Sequence, residues 1–104
     1  VLQHNESHSN RTQGGDGGGF DLDIGATNSV MQYNYSHGND GPGFLLYPGS
    51  TSGSGNVIRY NVSENDGRKN GYAGIQLWNG GSGVSGAEVH NNTVYVSPAA
   101  TTRS

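Results

Sequence analysis

A chain of 104 residues, 30% hydrophobic and carrying 19 glycines, has room for at most one domain with a modest core. Its net charge of −3 offers no basic patch for nucleic acid or an anionic membrane, and no apolar run is long enough to span a bilayer. With no cysteine, a disulfide scaffold and a thiolate metal site are both excluded.

Apolar residues never recur at helical spacing, so helix is expected to be scarce. They recur at a longer interval instead. Val1 to His8 reads as a short strand, a corner at Asn5 and a further extended stretch. The same pattern returns at Val30 to His37, Val57 to Glu64 and Val89 to Val94. The corner asparagines Asn5, Asn34, Asn61 and Asn92 step by roughly 30 residues, the kind of period that marks a solenoid.

Within the first strand of each repeat, Leu2, Met31, Ile58 and Val89 form an apolar column. His4, Tyr33, Tyr60 and Asn91 are expected on the same side of the pleat, with Gln3, Gln32, Arg59 and His90 opposite. Asparagine suits the corner because it tolerates left-handed backbone angles, and stacked corners would let each amide donate to the next.

The second strand runs Phe20 to Ile24, then Phe44 to Tyr47, then Ile75 to Trp78. Alternation turns Phe20, Leu22 and Ile24 inward, followed by Phe44 and Leu46, then Ile75 and Leu77. It leaves two outward columns, Asp21–Leu45–Gln76 and Asp23–Tyr47–Trp78. Turns of variable length fill Gln13–Gly19, Pro48–Gly55, Arg68–Tyr72 and Asn79–Gly86. The expected organisation is an all-β solenoid of three to four coils over residues 1–97, with repeats starting near 1, 30, 57 and 87. Residues 98–104 form a tail or linker. Because the chain opens inside one repeat and stops just after another, it reads as a piece of a longer protein or a mature product.

The V-x-x-Y-N-x-S-x-x-N-D-G run, the Gly-Phe or Gly-Ile strand openings and the closing His90–Val96 stretch resemble the right-handed parallel β-helix family, the pectate-lyase-like solenoids. The resemblance implies a right-handed parallel β-helix. It also implies a secreted, carbohydrate-active protein, most naturally a polysaccharide lyase or glycoside hydrolase acting on an acidic polysaccharide. Two other readings stand beside it: a non-catalytic carbohydrate-binding module, and a structural solenoid that self-associates end to end into a fibre.

Candidate chemistry lies in the turns after each corner. Ser7, Ser36 and Ser63 are expected to stack, as are His8, His37 and Glu64, then Asn10, Asn39 and Asn65. Asp16, Asp40 and Asp66 each precede a glycine. Asp-Gly is ordinary turn chemistry, but carboxylates stacked at coil spacing would also suit a hard cation, so Ca²⁺ is the candidate cofactor. His37, Glu64, Arg68 and Lys69 offer an acid–base pair with cations for a uronate carboxylate, or else a solvated loop. Asp21, Asp23, Tyr47, Gln76 and Trp78 form a candidate saccharide surface, with flat aromatic area flanked by hydroxyl-binding groups. The two aspartates sit two apart on one strand face, where their carboxyls could approach glycosidase separations, although acids at that spacing also pair commonly by chance. Five N-x-S/T sequons occur, of which Asn10 and Asn91 are the preferred glycan acceptors because they avoid the buried corners.

Overall fold

The computed structural model describes residues 1–49, 53–81 and 83–100. Residues 50–52 and 82 of the expected turns, and 101–104 of the expected tail, lie outside them. All regular structure among the described residues is strand. The first coil holds β1 (Leu2–Gln3), β2 (Glu6–His8) and β3 (Phe20–Leu22). The second holds β4 (Val30–Gln32), β5 (Tyr35–His37), β6 (Phe44–Leu46) and β7 (Gly53–Ser54). The third holds β8 (Val57–Arg59), β9 (Val62–Glu64), β10 (Ile75–Leu77) and β11 (Val84–Ser85), and a fourth begins with β12 (Glu88–His90) and β13 (Thr93–Tyr95).

Every pairing is parallel and joins like to like across coils, giving sheets β1-β4-β8-β12, β2-β5-β9-β13, β3-β6-β10 and β7-β11. Leu2, Met31, Ile58 and Val89 share one register, as do Phe20, Phe44 and Ile75. Met31, Ile58, Phe44 and Leu46 are fully buried, and the Phe20 and Phe44 rings stack at 5.2 Å. Such a narrow core fills with one or two side chains per strand per coil, which is why 30% hydrophobic residues suffice.

Polar side chains complete the interior. Asn34 is buried; its Oδ1 accepts from the Asn5 backbone N–H and side-chain amide, both at 3.1 Å. Asn61 receives Asn34 in the same way, and Asn92 receives Asn61. The corner ladder is therefore as the sequence leads one to expect. A second ladder departs from the expected column: Asn10 donates to Asn39, and Asn39 donates to Asp66 at 2.8 Å rather than to Asn65. Ser63 Oγ donates to the other Asp66 oxygen at 2.6 Å. No buried side-chain nitrogen or oxygen among the described residues lacks a partner. Unpaired groups there would each cost about 1–3 kcal/mol.

Three further expectations are corrected. His4, Tyr33, Tyr60 and Asn91 do not share the inward face: they hold the left-handed conformation, φ 54–57°, and turn outward. The left-handed residue is thus the one before the asparagine, which leaves the asparagine free to point into the ladder. The rings of His4, Tyr33 and Tyr60 stack at 5.4 and 5.3 Å on the outside. Ile24 is exposed, because β3 ends at Leu22 and the chain turns at Asp23. The segments read as turns at Pro48–Gly55 and Asn79–Gly86 contain the short paired strands β7 and β11.

Candidate functional site

The outward face of sheet β3-β6-β10 carries a groove of about 380 Å³. Register builds it: Asp21 is level with Leu45, and Tyr47 N–H donates to Leu22 O while Trp78 N–H donates to Leu46 O. Asp23, Tyr47 and Trp78 therefore follow one another along the axis, and the Tyr47 and Trp78 rings lie 5.3 Å apart, tilted by 40°. Both rings, with Asp21 and Asp23, line the groove, and Trp78 is 48% exposed. Gln76 does not line it; its Oε1 lies 3.3 Å from the Ala73 N–H.

One wall has no counterpart in the strand columns. The segment that lengthens the third coil folds back to the first, where Lys69 Nζ donates to Thr12 O, Asn70 Nδ2 to Gly14 O, and Tyr72 Oη lies 3.4 Å from the Asp16 backbone N–H. Tyr72 and Asp16 thereby enter the groove lining. The available signal was the length of the insertion ending in an aromatic residue.

Asp21 is the perturbed group. Partial burial, reinforced by the charges of Asp23 and Asp16, raises its carboxyl from 3.8 to about 6. A carboxyl held partly protonated near neutrality can both donate and accept a proton. Among the described residues, no lysine or arginine lines this groove.

The quartet His37, Glu64, Arg68 and Lys69 is divided. His37 and Glu64 are level in the sheet, but His37 Nε2 lies 2.8 Å from Glu6 and Glu64 accepts the Tyr35 hydroxyl. That bond raises the Tyr35 phenol above its usual range. Lys69 and Arg68 instead flank Asp40, at 3.2 and 3.8 Å, with Arg11 at 3.7 Å. The Thr12 N–H foremost, then Lys69 and Arg11, hold the Asp40 carboxyl below the ordinary carboxylate range despite its burial.

Asp16, Asp40 and Asp66 are level through their backbones, since Gly41 N–H donates to Gly17 O and Gly67 N–H to Gly41 O. Their side chains part company. Asp40 faces cations, Asp66 closes the interior ladder, and Asp16 takes a left-handed turn beside the groove. This geometry does not bring the three carboxylates onto one ion, so it gives the Ca²⁺ expectation no cage. Of the two preferred glycan acceptors, Asn10 is tied up, its amide donating to Ser7, Gly18 and Asn39. Asn91 is exposed at a left-handed corner, and its Oδ1 lies 2.7 Å from His90 Nδ1.

Stacked parallel coils around a narrow core define a β-solenoid. The chain matches the family described as a right-handed beta helix region over residues 1–94, and it belongs to that family. No curated protein and no solved structure matches it significantly.

Proposed function

We propose that this β-helix is part of an extracellular carbohydrate-active protein, and that its groove holds a neutral saccharide against Tyr47 and Trp78. The observation that carries this reading is the tilted aromatic pair beside two aspartates in one open groove. Aromatic faces accept the C–H face of a pyranose, and carboxylates accept its hydroxyls. Three aspartates and no cation on the lining favour a neutral glycan over the acidic polysaccharide that the family resemblance suggests. A lyase acting on uronates would need a positive charge here.

A second reading, glycoside hydrolysis, is favoured by Asp21 alone. With its carboxyl raised to about 6, it has the character of a general acid, with Asp23 as the carboxylate beside it.

Affinity electrophoresis in gels containing neutral glucans, arabinans or galactans tests the first reading. The chain is expected to be retarded by at least one of them, and Trp78→Ala to weaken that retardation roughly tenfold. Equal retardation of Trp78→Ala would refute the aromatic platform. Release of reducing ends that disappears in Asp21→Asn would establish the hydrolytic reading.

A further inference from the structure

Sheet β2-β5-β9-β13 carries on its outer face a cluster unrelated to the groove. Glu6 and His8 are two apart on β2 and so share one side of the pleat, and parallel register sets His37 of β5 level with His8. Glu6, His8 and His37 each offer a ligand atom, all within 4.8 Å of one another. Glu6 Oε1 to His37 Nε2 is 2.8 Å, and the two imidazoles stack at 4.7 Å.

We propose that Glu6, His8 and His37 bind one first-row divalent transition ion, Zn²⁺ being the natural occupant, with at least one coordination position left to water. Two imidazoles and a carboxylate are the donor set of open three-ligand sites, and hard ions such as Ca²⁺ prefer oxygen alone. Ligands sharing a tetrahedral ion at about 2.0–2.2 Å are separated by a little over 3 Å, so the carboxylate and His37 need hardly move. Closing His8 onto the ion takes a modest ring rotation, which its exposed position allows.

Neighbouring groups orient the ligands. Ser9 Oγ lies 3.1 Å from His8 Nδ1, and the Tyr35 ring stacks on His37 at 4.5 Å. A Glu6–His37 ion pair alone would account for Glu6, yet it would give His8 no role. The backbone register fixes where the three side chains start, and the ion would select the rotamers that converge on it.

The test is calorimetric titration of the full chain with ZnCl₂, with Co²⁺ absorption as a second readout of four-coordinate geometry. One equivalent is expected to bind more tightly than about 100 μM. His8→Ala and His37→Gln should each weaken binding at least tenfold, the second while keeping an amide to bond Glu6. His90→Ala should leave affinity unchanged. Circular dichroism confirms that each variant is folded. No binding by the unmodified chain at about 1 mM Zn²⁺ overturns the proposal, and so does unchanged affinity in either ligand variant.

Discussion

At the scale of single residues, what sets the groove apart is that it partly desolvates one carboxylate and sets two others beside it. Folded, Asp21 titrates near 6, against 3.8 without its surroundings. Folding therefore takes up a proton between these values, so this group favours the folded state most below 3.8 and progressively less as pH rises through 6. At neutral pH the ionised group opposes folding. Asp21→Asn should accordingly stabilise the chain at pH 7, by on the order of 1 kcal/mol once solvent screening of an exposed side chain is allowed for. The gain should vanish near pH 4. Comparing urea midpoints of the two proteins at both pH values isolates this residue and its coupling to Asp23 and Asp16, because titrating groups that do not interact with it cancel. A gain of the same size at both would remove the electrostatic explanation and leave one based on packing.

At the scale of strands and corners, the close approach of coils is set by the glycines that open β3, β6 and β10. Phe20 N–H donates to Gly43 O and Phe44 N–H to Gly74 O, so Gly19, Gly43 and Gly74 stack. A methyl added at Gly43 would lie 2.5 Å from Asp66 Oδ2, 2.5 Å from Ser63 Oγ and 2.6 Å from Gly74 O. Relief would require breaking the Ser63–Asp66 bond or prising two coils apart. Gly43→Ala is therefore expected to cost about 3 kcal/mol or more, combining overpacking with a lost buried hydrogen bond. Gly14→Ala, where nothing lies within 4 Å, should stay within about 0.5 kcal/mol of the parent. Urea denaturation followed by far-ultraviolet circular dichroism separates the two outcomes. These elements also show how far the sequence could be read. Period and alternation yield the asparagine ladder and the Leu2–Met31–Ile58–Val89 column, because both depend only on register. Alternation fails at Tyr33 and Tyr60, where a left-handed corner reverses the side-chain direction that a straight strand would give. The Asn65 expectation fails because it matched residue type rather than spacing: Asp66, like Asn10 and Asn39, lies five residues after its corner asparagine and so takes the ladder position. Gly53–Ser54 has no apolar pattern to mark it as a strand. The aromatic pair of the groove was legible from strand spacing. Tyr72 was not, since only the folded path of the inserted loop carries it across to the first coil.

At the scale of the whole molecule, a solenoid has no centre other than its middle coils. Each coil contacts only its neighbours, so stability is close to a sum of per-coil and interface contributions. The burial profile follows this directly: Met31, Phe44 and Ile58 are 0% exposed, whereas Val89 is 41% and Leu77 47% exposed. On the last coil, β12 and β13 have a hydrogen-bonded neighbour on one side only among the described residues. Opening them breaks one interface, whereas opening β8 or β9 disrupts the interfaces on both sides. In a polypeptide of these 104 residues, amide hydrogen exchange should therefore be graded along the axis. The amides of β5, β6, β8 and β9 should be slowest, and those of the end strands β1, β2, β12 and β13 fastest. Peptide-resolved mass spectrometry measures the gradient. Equal protection in β13 and β9 would mean that the coils unfold as one cooperative unit, or that a further layer covers the last coil in solution. Repeating the measurement across protein concentration separates these outcomes, since only a layer supplied by a second copy would strengthen with concentration.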